Sequence, residues 1–264
     1  MKTKFLPLFL IFIVAIGAIV GCKGGPSEEE LALSQAQEQF TAVKEGNNQL
    51  QQLRTDLAAA EATIAEIEAI EERKRTDEQK AQLEEVSGQL EGLQGSVEEI
   101  YEGLQVQLAD FLTVALNNFP SAPETAEALQ IYAIEAIGVA EDIVAKSGDY
   151  KKATDHLMGA KGYYEAIGLE PYQDLTDKIA YFEDWRLVTE ERFGQLKKGM
   201  TKDEVKAAIG VPYYGNIQED TKKGVESWLY KKDGGGAAAV YFKTKTAKVY
   251  DWNFDAVKIK VVTD

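Results

Sequence analysis

Glu71-Glu72-Arg73-Lys74-Arg75-Thr76-Asp77-Glu78 interrupts two long apolar stripes, and the fold turns on how it is read. Before it, Leu50, Leu53, Leu57, Ala60, Ile64 and Ile67 recur at alternating spacings of three and four. After it, Val86, Leu90, Leu93, Val97, Ile100 and Leu104 do the same, with Leu83 ahead of them and Phe111 and Val114 beyond. That period is the seam of a coiled coil, with the charged residues on the other faces. The quoted octet puts charges where seam residues would fall. Thr76 followed by Gln79 fits a capping box, the start signal of a new helix. Two antiparallel helices are therefore expected over residues 31–118, turning near Arg75–Asp77, each with ~40 residues and spanning ~60 Å. The other reading is one continuous helix of ~90 residues that dimerises; the break and the similar arm lengths favour the hairpin. Gly88, Gly92, Gly95 and Gly103 each cost the second arm about 1 kcal/mol, and close helix approach is one use for them.

Downstream, residues 119–192 read as further helices. Ser121-Ala122-Pro123-Glu124 offers a start with proline in the first turn, and Leu129, Tyr132, Ala136, Val139, Ala140 and Ile143 give one face. Ser147-Gly148-Asp149-Tyr150 is a stop and restart, followed by Ala153, Leu157 and Ala160. Gly148, Tyr150, Ala153 and Ala160 resemble half of a tetratricopeptide repeat. A solenoid needs stacked repeats and only one candidate is present, so a small helical bundle is expected instead. Tyr163, Tyr164, Tyr181, Phe182 and Trp185 are helix-spaced aromatics, read as core.

Charge and rare residues narrow the function. The net charge is −15. It is uneven: residues 28–118 hold 20 acids and 6 bases, residues 119–192 hold 15 and 7, and residues 193–264 hold 9 and 13. An acidic body repels phosphate backbones, which argues against nucleic acid. Cys22 is the one cysteine and His156 the one histidine. No intramolecular disulfide or thiolate metal cluster can form, and a Ser–His–Asp arrangement has little to draw on. The sequence contains no Gly-x-Ser-x-Gly, no His-Glu-x-x-His and no phosphate loop. No enzyme, metal or cofactor is expected.

The N-terminus reads as an address. Met1-Lys2-Thr3-Lys4 is positive, and Phe5 to Val20 is a charge-free apolar run. A helix of ~16 residues rises ~24 Å, short of the ~30 Å hydrocarbon core. The run ends beside a cysteine, as a secretory signal ends in small residues. Ile19-Val20-Gly21-Cys22 resembles the lipobox of bacterial lipoproteins. That resemblance implies a signal peptide over 1–21 and a diacylglyceryl (palmitate-type) modification on Cys22 as the mature N-terminus. Two or three acyl chains hold a protein durably, at ~0.8 kcal/mol per buried CH₂. Lys23, not aspartate, follows the cysteine; by resemblance to enterobacterial sorting this implies the outer membrane, facing the periplasm. Residues 22–30 form a lipidated tether, with Gly24-Gly25-Pro26-Ser27 as its flexible part.

The C-terminal segment, 193–264, changes pattern. Thr201 with Glu204 is a second capping box, and Gly210 and Pro212 stop that helix. Ser227–Lys231, Ala239–Phe242 and Lys248–Phe254 alternate as three strands, which Val257, Ile259 and Val261 extend or follow. The fold class expected is mainly α plus a small α+β domain: hairpin, bundle, then a two-helix, three-stranded antiparallel unit. Gly199-Met200-Thr201, Val205, Gly210-x-Pro212, Trp228, Tyr230, Val240, Phe242, Val249 and Trp252 resemble the SmpA/OmlA (BamE-type) outer-membrane lipoprotein domain over about 70 residues. The chain departs from that pattern in Lys243–Ala247, where an Asp-Gly-like turn is usual, and in Gly234-Gly235-Gly236. The resemblance implies a non-catalytic envelope protein that binds other proteins, with components of the machinery that inserts β-barrel proteins as the implied partner. A spacer or scaffold whose hairpin carries the contacts is the alternative. Tyr213, Tyr214 and Asn216, in the loop after the helix stop, are the candidate partner-binding residues.

Overall fold

The computed structural model describes residues 27–257. The signal segment, the lipobox Ile19–Cys22 and most of the tether lie outside the described residues, as do Ile259 and Val261. The protein is mainly α-helical, with a small C-terminal sheet of four antiparallel strands.

Helices α1 (Glu28–Glu68) and α2 (Asp77–Asn118) have 41 and 42 residues. Between them lies a single 3-10 turn, Glu72–Lys74. The capping box is formed: Gln79 N–H donates to Thr76 Oγ1 at 3.2 Å, and Thr76 N–H donates to Gln79 Oε1 at 3.0 Å. Arg75 supplies the other cap. Its Nε donates to the Ile70 carbonyl at 2.9 Å and its Nη2 to that of Glu68 at 3.1 Å, satisfying acceptors that the end of α1 leaves open.

Phe40 packs on Phe111, with ring centroids 5.3 Å apart, and Gly46 faces Leu104 and Gln107. As the number in α1 rises, that of its partner in α2 falls, so the helices run in opposite directions. Gly46 is the glycine at close approach, since an added Cβ would lie 2.8 Å from Gln107 Oε1. Gly88, Gly92, Gly95 and Gly103 are not. All four are exposed and an added Cβ meets nothing within 4 Å, so close approach does not explain them.

Helices α3 (Pro123–Ser147), α4 (Tyr150–Ala166) and α5 (Gln173–Trp185) share one core with the proximal part of α1 and α2. Ala133, Ala136 and Ala140 are buried along α3, and Ala153, Leu157 and Ala160 along α4. Small residues at helical spacing bring the two backbones together. Towards the α1–α2 turn this support ends: Ala60 and Ile67 remain buried, but Leu57, Ile64, Leu83, Val86 and Leu90 are only half-buried. The aromatics expected as core divide: Tyr164 and Phe182 are buried, Trp185 is partly buried, and Tyr163 and Tyr181 are exposed.

The C-terminal unit begins with α6 (Glu190–Phe193) and α7 (Lys202–Ile209). Its sheet is a meander of β1 (Ile217–Asp220), β2 (Val225–Lys231), β3 (Ala237–Lys243) and β4 (Lys248–Val257). Three strands were expected; β1 is the fourth. Apart from Ile217, which is exposed, its residues are polar, so it carries no alternation to read. Backbone pairing with β2, Ile217 opposite Trp228 through Asp220 opposite Val225, makes it a strand. The turn closing this pair holds Gly224 at φ 62°, a conformation glycine adopts without strain.

Candidate functional site

The residues that stop one element and start the next converge where the helical part meets the sheet. Gly148 ends α3 in the left-handed region, φ 65° and ψ 16°, with its N–H on the Val144 carbonyl. Asp149 then caps α4, accepting from Lys152 N–H at 2.9 Å. The sharp turn leaves space for the chain after α7. A Cβ on Gly148 would lie 2.1 Å from the Pro212 carbonyl oxygen, a contact with backbone that cannot move aside.

Tyr150, the first residue of α4, crosses the junction. Val211 N–H donates to its hydroxyl at 3.1 Å, and its ring meets Phe182 edge-on at 5.9 Å. Burial raises the Tyr150 pKa, and the hydrogen bond from Val211 opposes that rise. Gly210, at φ 94°, sits so close that a Cβ would lie 2.9 Å from the Tyr150 hydroxyl oxygen and 3.2 Å from Trp185. From the sheet side, Tyr230 donates its hydroxyl to the Gly210 carbonyl at 3.1 Å. Burial holds the Tyr230 pKa well above the usual tyrosine value. Arg192 lies 4.9 Å from the Trp185 ring centre and donates to the carbonyls of Asp184 and Leu187. Val188 N–H pairs with the Lys231 carbonyl at 2.9 Å. These bonds make a joint of matched backbone groups, not a hinge of loose loops.

The chain matches no family model, no curated protein and no solved structure.

Most of the residues picked out for the C-terminal resemblance serve this unit's interior. Val205, Trp228, Tyr230, Val240, Phe242 and Val249 are buried in its core, and Met200 and Trp252 pack against them. Thr201 caps α7, with Glu204 N–H donating to its hydroxyl at 3.2 Å. Gly199 takes φ 92° and its N–H pairs with the Val249 carbonyl at 2.8 Å. Gly210 and Pro212 belong to the joint. The candidate partner-binding residues are split between joint and surface. Tyr213 and Asn216 are half-buried at the joint beside Gly148 and Trp185, whereas Tyr214 is 62% exposed. The Tyr213 and Tyr214 rings are 4.8 Å apart, and Ile217, also exposed, extends the patch.

His156 is half-buried, its Nε2 has no hydrogen-bond partner among the described residues, and burial lowers its pKa. No group of three or more His, Cys, Asp or Glu side chains among the described residues converges to hold a metal. No helix among them is long and apolar enough to cross a membrane.

Two clefts open beside α3 and α5, and the first of them borders the joint. One, of about 340 Å³, lies between α3, α5 and α7 and is lined by Glu141, Tyr181, Trp185, Lys206 and Val211. The other, of about 590 Å³, lies between α3 and α5. Sequence reasoning missed both, because their walls come from helices distant in the chain.

Proposed function

We propose that the chain is a non-catalytic lipoprotein of the bacterial cell envelope, held by acyl chains on Cys22 and acting by binding a protein partner. The carrying observation is the sole cysteine, standing directly after Ile19-Val20-Gly21 at the end of a signal-like apolar run. The outer membrane, with the body facing the periplasm, is the location this reading takes from Lys23. In support, helix α1 opens at Glu28, a few residues after that cysteine. The folded part would thus stand close to the membrane surface.

In this reading α1 and α2 form an antiparallel coiled-coil hairpin, α3–α5 a bundle at its base, and residues 193–264 a domain of SmpA/OmlA type. Two short helices followed by an antiparallel meander support that last assignment, as does the burial of the motif's apolar residues. The extra strand β1 and the triple glycine depart from it. A partner in β-barrel assembly follows from the resemblance alone.

Cross-linking of intact membranes tests the reading. A tagged chain should recover an envelope protein, and recovery of none sinks the binding role. The half-buried Leu57, Ile64, Leu83, Val86 and Leu90 of the distal hairpin favour one alternative, a scaffold whose hairpin carries the contacts. Phe40, Leu50, Leu104 and Phe111 belong to the shared core, so removing all of 31–118 would unfold the bundle. The discriminating deletion trims only residues 60–90: the scaffold reading requires lost function, and the docking reading predicts that most is kept.

A further inference from the structure

The 590 Å³ cleft between α3 and α5 has a floor made for apolar side chains and a rim made for cations. Ile134 and Ile137 come from α3 and Tyr181 from α5; Ile134 is 40% exposed and Tyr181 45%. These apolar side chains on neighbouring helices are open to water here, and a docked apolar partner would cover them.

The rim carries Asp174, Asp177 and Lys178. The lysine is already engaged, with Nζ 2.5 Å from Glu141 Oε1 and lying over the Tyr181 and Phe182 rings at 5.6 and 5.8 Å. The aspartates are held but not neutralised. Tyr172 donates its hydroxyl to Asp174 at 2.7 Å, and Gln173 Nε2 donates to Asp177 at 2.8 Å. The bond to Asp174 is the main reason the Tyr172 pKa is raised, with burial a lesser one. Neither aspartate has an ion-pair partner among the described residues. Two oriented carboxylates beside an apolar floor select a cation next to an apolar side chain. The surrounding helices, with 15 acids and 7 bases over residues 119–192, strengthen that field.

We propose that this cleft binds a basic amphipathic segment of a partner protein. Its apolar side chains sit on Ile134, Ile137 and Tyr181, and its Lys or Arg side chains on Asp174 and Asp177. This deepens the protein-binding reading and rests on it for the nature of the partner, but does not need Cys22 to be acylated. Anionic lipid is the disfavoured occupant, because its phosphates would face the carboxylates.

The test titrates the purified mature chain, residues 22–264, into two fluorescent 18-residue helical peptides of one pattern, Leu/Lys and Leu/Glu, read by anisotropy. Wild type should bind the Leu/Lys peptide and not the Leu/Glu peptide. Asp174→Asn with Asp177→Asn should weaken binding at least tenfold, and Tyr181→Ser should weaken it as well. Glu84→Gln with Glu91→Gln removes the same net charge from an exposed face of α2 and should leave binding unchanged. A circular dichroism melt of each variant establishes that it is folded. Equal loss in the two charge variants, equal binding of both peptides, or no binding by wild type overturns the proposal. So does sedimentation of the wild-type chain with phosphatidylglycerol vesicles, measured without peptide, that Tyr181→Ser abolishes. The anchor reading fails separately: an unacylated Cys22 leaves this titration standing, and a failed titration leaves an acylated Cys22 standing.

Discussion

Arg54 and Glu135, 81 residues apart in the chain, meet as a two-pronged ion pair: Nη1 reaches Oε1 and Nη2 reaches Oε2, each at 2.8 Å. The Glu135 side chain is 2% exposed and that of Arg54 is 38%. The pair fastens α1 to α3 at a fixed register, since losing Arg54 would leave the buried carboxylate without its ion-pair partner. Tyr101 lies within the same field; burial raises its pKa first, the Glu135 charge adds to that, and Arg54 opposes it. Arg54→Met should therefore destabilise the fold by about 2–3 kcal/mol, less than a fully buried pair because Arg54 is partly solvated. Arg54→Met with Glu135→Leu should recover most of the loss. Urea unfolding followed by circular dichroism measures both; a double variant as weak as the single one contradicts the account.

Gly148 resists replacement for two reasons at once, its positive φ and the Pro212 carbonyl against it. Gly148→Ala should cost about 2–3 kcal/mol in thermal unfolding. Gly168 offers the control, being also left-handed at φ 70° but with open space around it. Gly168→Ala should cost only about 1 kcal/mol. Equal costs would mean that the joint yields.

Gly88 and Gly92 point the other way. They are exposed, within a helix, and face open space. Replacing each with alanine should stabilise the fold by about 1 kcal/mol, because only backbone entropy is at stake. A loss of stability in urea would mean that they serve a packed surface.

His156 titrates alone, so its imidazole C2–H signal is a single NMR resonance. Burial lowers its pKa, and the folded midpoint should fall below 6.5. Below that pH the unfolded chain binds the proton more strongly than the folded one, so stability is full above about pH 6.5 and declines as the pH falls through the folded midpoint. His156→Gln should remove that part of the decline. A midpoint at or above 6.5 rejects the buried placement.

Much of the helical part was legible because its signals are local. The three-four spacing of Leu50–Ile67 and Val86–Leu104 and the Thr76–Gln79 cap lie within single helices. Arg75 was visible only as a charge in the wrong place, because its cap on the Glu68 and Ile70 carbonyls exists only once the turn has closed. Strand β1 was illegible because Gln218-Glu219-Asp220 owes its conformation to β2. The candidate site was harder still. Tyr213 and Tyr214 read alike in sequence, yet one leans into the joint and the other into solvent. Glu135 and the pair Ile134 and Tyr181 acquire meaning only once α3 lies against α1 and α5, and no spacing within the chain encodes that.

Intact-mass and N-terminal peptide spectrometry on the mature protein from membranes tests the central claim most directly. The account predicts a chain that begins at Cys22 and carries acyl mass there, and predicts that Cys22→Ala abolishes both that mass and membrane retention. A mature chain that begins elsewhere, without acyl mass, would contradict it.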